Sequence, residues 1–431
     1  MDSAEIKRII QEQEKEKNKI LREENIIQRD ADLPKLKSFL KFPNVLAILG
    51  IRRCGKSVLS WLLMENKECG YINFDDESFY GANADDLNTV LKAFYGLYGD
   101  LDFLVFDEIQ NIQGWELFAN RLRRTKKVII TGSNSRLLAG ELATHLTGRH
   151  IDFTLFPFSF KEFCVYKKIN LEEIKKTEYT TQTTARMEEA VKEYIQAGGM
   201  PEAYKYGKDI LKSVFSDIIT KDIIKRYKIK NIAVIDSLGK YLVSNFSNEI
   251  SFNKLKNVFS IKKVGTIKNY VSYFEDAYLV IVLERFSFKL KEQIIAPKKV
   301  YCIDTGIINS ISFRSSENIG KLFENAVCVE LFRRKEHFQD HTELFYWKDH
   351  QQEEVDFVVK QGLKVKQLIQ VCYDINDAKT REREVKALLK ASKELKCKNL
   401  LIITDEIQKE DIVENRKITY IPLWKWLIGD L

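Results

Sequence analysis

The sequence predicts an α/β protein of several domains, and three observations predict it. Residues 47–64 read LAILGIRRCGKSVLSWLL, an apolar strand that runs through a glycine turn into a helix. Further apolar strands, in CGYINFDDE, LDFLVFDEIQ and KKVIITGSNS, alternate with helical stretches, the order of a parallel sheet covered by helices. From residue 317 onward, strands and amphipathic helices return after a long run of short helical patterns.

Length and composition bound the reading. A chain of 431 residues exceeds one ordinary core and suggests two to four domains. With 45% hydrophobic and 30% charged residues it reads as globular. No window approaches 18 uninterrupted apolar residues, and the opening MDSAEIKRIIQEQEKEKNK is charged throughout. A cytoplasmic protein with no membrane partner is therefore expected. Seven cysteines without a CxxC pair read as reduced thiols. His337 and His341 lie at i, i+4 but lack further ligands in sequence, so no metal site is expected from them. Net charge is +7, yet Lys208–Lys299 holds 18 Lys and Arg against 9 Asp and Glu. Basic charge concentrated in one segment is the expected footprint of a nucleic-acid contact.

The first element carries the clearest chemistry. Gly50, Gly55, Lys56 and Ser57 match G-x-x-x-x-G-K-[ST], with strand NVLAIL before and helix SVLSWLLM after, the context a phosphate-binding P-loop requires. Glycines let the backbone wrap phosphates, amides at the helix start point at them, Lys56 reaches the outer phosphates and Ser57 ligates Mg²⁺. Gly50, Arg52, Arg53, Cys54, Gly55, Lys56, Ser57 and Val58 are thus the expected contacts to ATP. In LDFLVFDEIQ a buried strand runs into Asp107 and Glu108. Asp107 is expected to hold Mg²⁺ with Ser57, and Glu108 to polarise the attacking water. The strand KKVIITGSNS ends in Ser133 and Asn134, candidates to sense the γ-phosphate, with Asn134 assigned to catalysis.

Read together, GIRRCGKS, VFDEIQNIQGWE, ITGSNSRLLAGELATHLTGR, LFPFSFKEF, AGGMPEAY, YCIDTGI, ENAVCVEL and EEVDFVV resemble the prokaryotic AAA-type ATPases, P-loop ATP-binding proteins with a C-terminal restriction-endonuclease-like domain of unknown function. The resemblance covers nearly the whole chain. It implies a P-loop NTPase (AAA-type) core, a helical lid, a winged-helix domain and a restriction-endonuclease-like α/β domain. It further implies a strand between those carrying the P-loop and Asp107, and a homo-oligomer, dimer or ring. Arg149 in LTGRH then has two readings: an arginine that reaches a neighbouring protomer's γ-phosphate, for which its planar, permanently charged fork is suited, or a surface ion pair. The expected domains are 1–160 for the ATPase core, 161–205 for lid and linker, 206–300 for the winged helix and 301–431 for the nuclease-like domain.

Beyond the core, KKTEYTTQTTARMEE is nearly free of large apolar residues and reads as linker. Helical periodicity resumes in AVKEYIQAGGMPEAY and breaks at Gly198 and Gly199. Residues 206–300 alternate three short helices with two strand-like segments, the pattern of a winged helix. Its third helix presents Lys262, Lys263, Thr266, Lys268 and Asn269 as candidate DNA contacts, while Tyr270, Tyr273 and Phe274 at helical spacing read as core. Past residue 317 the order helix, three strands, helix, strand is that of a restriction-endonuclease-like core. Its chemistry needs carboxylates converging on a metal and a lysine to steady the phosphorane. Glu324 and Asp356 fit the carboxylates. The third strand, which should supply an acidic residue and, two positions on, Lys, reads Gln370, Val371, Cys372. Glu324, Asp356 and Gln370 are therefore taken as a vestigial nuclease site, with Lys348 the first candidate among other lysines to swing in.

Three functions fit this inventory. An ATPase couples its nucleotide state to binding of duplex or branched DNA; an ATP-sensitive adaptor binds protein and touches no DNA; or an ATP-gated nuclease cuts it. The missing lysine disfavours the last.

Overall fold

The computed structural model describes residues 1–29, 33–135, 146–176, 180–312, 318–338 and 341–429. The chain forms two compact units, residues 1–156 with 276–278, and residues 157–275 with 279–431.

The first unit is built on five parallel strands, β1 (Val45–Leu49), β2 (Cys69–Asn73), β3 (Phe103–Asp107), β4 (Lys127–Gly132) and β5 (His150–Thr154), in the order β2-β3-β4-β1-β5. β4 lies between β1 and β3, the intervening strand that the family resemblance implies. Every residue of β1 is buried, as expected of a strand with helices on both faces of its sheet. The helix Ala84–Tyr98 starts at a capping box formed by Asn83 and Asp86, which satisfies two otherwise orphaned amides. Its Phe94 belongs to the same buried core as Phe106, Trp115 and Ile130, and burying one such phenyl ring contributes roughly 2–3 kcal/mol. The charged opening segment is not a solvated tail. Ser3–Glu23 is a helix whose Ile6, Ile9 and Ile10 are buried, a narrow stripe at i, i+3, i+4 that overall charge conceals.

The second unit opens with the helix Phe160–Tyr166, capped reciprocally by Ser159 and Glu162. The stretch read as linker is helical from Thr181: Thr180 caps the helix Thr181–Ala197, and Met187 is its first buried residue. A good N-cap and partners further along outweigh the polar first turns. Residues 177–179 lie outside the described residues. The following Gly198 (φ 79°) admits no side chain, since a Cβ would stand 2.4 Å from Asp304 Oδ1 and Gly306 N.

Next come the helices Ile232–Ser244, Phe252–Val258 and Val264–Asp276, interleaved with a small antiparallel sheet. Its strands β6 (Asn248–Ile250), β7 (Val280–Leu283) and β8 (Lys298–Cys302) take the order β6-β8-β7. Phe274 is fully buried, while Tyr270 and Tyr273 are half-buried. The boundary expected at 300/301 cuts through β8; as the central strand of this sheet, β8 belongs wholly to it.

The last sheet has six strands, β9 (Thr342–Lys348), β10 (Glu354–Gln361), β11 (Lys364–Val371), β12 (Leu400–Thr404), β13 (Lys409–Val413) and β14 (Arg416–Pro422), ordered β13-β14-β12-β11-β10-β9. β9 to β11 are the expected meander, and β12 runs parallel to β11. β13 and β14 extend the sheet beyond the expectation; β13 (KEDIV) is a partly exposed, charged edge strand, a composition that discourages pairing with other chains. Residues 284–286 join the opposite edge, where Phe286 N–H donates to Tyr346 O (2.7 Å) and Tyr346 N–H to Glu284 O (3.0 Å). Among the described residues no helix is long and apolar enough to cross a membrane.

Candidate nucleotide site and associated surfaces

Backbone geometry explains the loop's composition. Gly50 has φ 149°, and a Cβ there would lie 2.2 Å from Leu155 O. Gly55 at φ 97° opens the helix Lys56–Leu63. Arg53 takes a left-handed φ of 65° and is exposed; a non-glycine residue in that region marks local strain of the kind that gathers at functional sites. Arg52 Nη1 pairs with Asp75 Oδ2 at 3.3 Å. Cys54 turns its thiol inward, with Sγ 3.4 Å from Leu155 O, and burial raises its pKa, so it stays a neutral thiol. Val58 is half-buried in the first helical turn.

Lys56 is 4% exposed. Its Nζ donates to Gly50 O (3.3 Å) and Ile51 O (3.2 Å) and pairs with Glu108 Oε1 at 3.4 Å. Asp107, fully buried at the end of β3, accepts from Tyr71 Oη (2.7 Å) and Thr131 Oγ1, and Ser57 donates to it as well. Burial, then the charge of Glu108, raises the pKa of Asp107, and the three hydroxyl bonds oppose that rise. Glu108 takes a left-handed backbone (φ 49°, ψ 42°). Its N–H donates to Thr131 Oγ1 at 3.0 Å, and its carboxylate accepts from Gln110 Nε2. Ser133 and Asn134 are buried directly after β4.

The loop lysine, the paired Ser57 and Asp107, and the carboxylate of Glu108 thus converge at one end of the sheet. This donor set fits a magnesium-bound triphosphate: a hydroxyl and a carboxylate suit a hard cation, and a P-loop ammonium suits phosphate oxygens.

Several contributors escaped the sequence. Arg29, 7% exposed, donates from Nη1 to Cys54 O (2.8 Å) and from Nη2 to Phe156 O (2.6 Å), pinning the loop from 25 residues upstream. No motif announces it. Tyr71 and Thr131 lie inside quoted strands, and each reaches Asp107 because β2 and β4 flank β3.

Arg149 lies elsewhere. It is exposed and immediately precedes His150, which pairs with Val45, whereas Thr154 pairs with Leu49 beside the loop. Six residues of strand at roughly 3.3 Å each put its backbone roughly 20 Å from its own Gly50. Residues 136–145, the centre of its motif, lie outside the described residues.

In the second unit, Lys262, Lys263, Lys268 and Asn269 are exposed around the start of the helix Val264–Asp276, and Thr266 is half-buried. Lys268 Nζ lies 5.6 Å above the Phe252 ring. Two lysines counted in the basic excess do not face solvent: Lys298 is 5% and Lys299 3% exposed, both in ion pairs.

The carboxylate site differs from expectation. Glu324 and Asp356 do converge, and an ammonium stands between them, but Lys299 of β8 supplies it. Its Nζ is 2.9 Å from Glu324 Oε1 and 3.0 Å from Asp356 Oδ1. Lys348 instead pairs with Glu249 (2.9 Å) and Glu354 (3.2 Å). Gln370 is buried: its Oε1 accepts from Asp356 N–H (3.3 Å) and its Nε2 donates to Glu384. Burial, then the charge of Asp356, raises the pKa of Glu324.

Residues 43–164 match the AAA domain family, 188–318 a domain of unknown function (DUF8612) and 319–426 another (DUF4143). Among solved structures, a Walker-type ATPase of Pyrococcus abyssi aligns with a TM-score of 0.47 at 14% identity, over 67% of this chain and 97% of that one. An uncharacterized protein of Haemophilus influenzae is 25% identical over 93% of this chain and 98% of its own length. The uncharacterized protein MJ1544 of Methanocaldococcus jannaschii is 37% identical over 94% of this chain and 92% of its own. At that identity and coverage the chain belongs to the same family as MJ1544, and its nucleotide-binding part is an AAA-type P-loop ATPase domain.

Proposed function

We propose that the protein hydrolyses ATP and uses its nucleotide state to control binding of duplex or branched DNA in the cytoplasm. The observation that carries this reading is the convergence of Lys56, Ser57, Asp107 and Glu108. Loop amides and Lys56 bind the phosphates; the Lys56–Glu108 pair brings the phosphate-binding ammonium next to the base, so phosphate oxygens compete with Glu108 for Lys56. Mg²⁺, held by Ser57 and Asp107, would neutralise the outer phosphate oxygens. Glu108 orients the water, and Asn134 senses the γ-phosphate. Arg149 is too far from its own loop to act there, which favours action on a neighbouring protomer in a dimer or ring.

For DNA, the support is electrostatic and topological. Over 232–302 the order is helix, strand, helix, helix, strand, short helix (Leu290–Ile295), strand. Three helices with the sheet order β6-β8-β7 suit a winged helix whose wing carries an inserted helical turn, and exposed Lys262, Lys263 and Lys268 cluster where its third helix begins. Each phosphate contact releases a counterion, so affinity should fall steeply with salt. One feature favours the adaptor reading: Phe288, Leu290 and Ile295, between β7 and β8, are 75%, 68% and 71% exposed, apolar surface suited to a protein partner.

ATP turnover measured with single-stranded, duplex, forked and four-way DNA tests the proposal. Stimulation by duplex or branched forms supports it. Turnover indifferent to every form, with no DNA binding at low salt, leaves the adaptor.

A further inference from the structure

Five polar side chains from three elements of the second unit meet around one buried ammonium. Lys299 and Tyr301 project from one face of β8 and Glu354 and Asp356 from one face of β10, each pair two residues apart as strand geometry requires. Glu324 comes from the helix Ile319–Phe338. Lys299 is 3%, Tyr301 0% and Asp356 6% exposed.

The ammonium's three donors are all used. An ammonium has three donors, and Lys299 Nζ has three carboxylate partners, Glu354 Oε1 at 2.5 Å, Glu324 Oε1 at 2.9 Å and Asp356 Oδ1 at 3.0 Å. Tyr301 Oη donates to Glu324 Oε1 (2.7 Å), and the second oxygen of Asp356 takes the Val371 amide (3.0 Å). Lys348 covers the other oxygen of Glu354 at 3.2 Å.

A divalent cation shared by Glu324 and Asp356 would have to sit where the Lys299 ammonium sits. Magnesium needs oxygens at about 2.0–2.1 Å, which leaves no room for both. The burial of Lys299, Tyr301 and Asp356 also keeps a DNA phosphodiester from Asp356 unless the unit opens. Three carboxylates gathered within 3.0 Å of one point, Asp356 buried and Glu324 and Glu354 with 12% and 25% of their side chains exposed, would repel one another without a cation, so some positive charge must reside there.

We propose that Lys299 is the built-in cation of this centre: a side chain from β8 takes the position a divalent metal would occupy between Glu324 and Asp356, closes the centre to metal and substrate, and keys the small sheet into the C-terminal one. The inference stands whether or not the protein hydrolyses ATP.

The test is thermal unfolding of the full chain, without nucleotide, in EDTA and in millimolar Mn²⁺. Wild type is expected to keep one Tm in both. Lys299→Ala, and beside it Lys299→Gln, is expected to unfold several degrees lower in EDTA and to recover much of that loss in Mn²⁺. Adding Asp356→Asn should abolish the recovery. A wild-type Tm that rises with Mn²⁺ and loses the rise on Asp356→Asn overturns the proposal. So does a folded Lys299 variant indifferent to Mn²⁺, or metal-dependent DNA cleavage by wild type that Lys299→Ala removes. If neither variant can be isolated, the wild-type comparison decides: silence supports the built-in cation, and Asp356-dependent uptake refutes it.

Discussion

Lys56 and Glu108 do different work, and their variants should fail differently. Lys56→Ala removes the charge that meets the phosphates and is expected to abolish nucleotide binding or hydrolysis. Glu108→Gln removes only the base and should retain nucleotide while slowing turnover by at least about 10²-fold. Equilibrium binding and steady-state turnover measured on both separate the two, and equal turnover by Glu108→Gln and wild type would end the assignment. Gly50→Ala tests the backbone: the new methyl meets Leu155 O, so unfolding should show a loss of about 2 kcal/mol or more. In the carboxylate centre, burial raises Glu324 from its ordinary 4.5 to about 7. The folded state then holds that proton more tightly than the unfolded chain does, so the contribution to stability is present below pH 4.5 and lost as pH rises to about 7. Glu324→Gln should flatten, without abolishing, the decline of Tm across that interval, since buried Asp304, raised to about 6, acts in the same sense. A decline unchanged in the variant would contradict it. At this scale the motif residues were legible because their spacing is fixed by one loop and one strand end. Arg29, Tyr71, Thr131 and Lys299 were not: strand pairing brings in Tyr71 and Thr131, a segment outside any helix or strand brings in Arg29, and packing between elements of different sheets brings in Lys299, none of which sequence spacing records.

Among elements, the parallel strands β1 to β4 were easy to read from their apolar runs, whereas the edge strand β5 (HIDFT), with polar residues and little burial, gave no such signal; the position of β4 between β1 and β3 followed from the family resemblance. Helices with little apolar content were harder. Ser3–Glu23 buries three isoleucines on one stripe, and Thr181–Ala197 begins with turns whose side chains meet mainly solvent. Composition averages over such faces and misses them. β8 shows a related limit: its composition marks a strand, yet only pairing with both β6 and β7 reveals that it completes the small sheet and carries Lys299 toward the large one. The helix Val264–Asp276 carries the prediction proper to this scale. Changing Lys262, Lys263 and Lys268 together to Glu should weaken DNA binding strongly and leave basal ATP turnover intact, as read by fluorescence anisotropy and phosphate release. Unchanged DNA affinity at low salt would place the contact on another element.

For the whole molecule, the net charge of +7 is a modest excess with an uneven distribution. Its basic segment lies in the second unit, and the nucleotide residues lie in the first. Two of that segment's lysines serve internal ion pairs, so the surface excess is smaller than the count suggests but still clusters at one helix. A nucleotide-controlled grip on DNA therefore requires the bound nucleotide in one unit to change the affinity of the other, a coupling free energy that must act in both directions. The most direct test is the affinity of Glu108→Gln for duplex DNA, by fluorescence anisotropy at fixed salt, with and without Mg²⁺ and ATP. Because this variant holds ATP without consuming it, the account predicts affinities that differ severalfold between the two conditions and fall steeply with added salt in both. Equal affinities, or no binding at low salt in either condition, would contradict it.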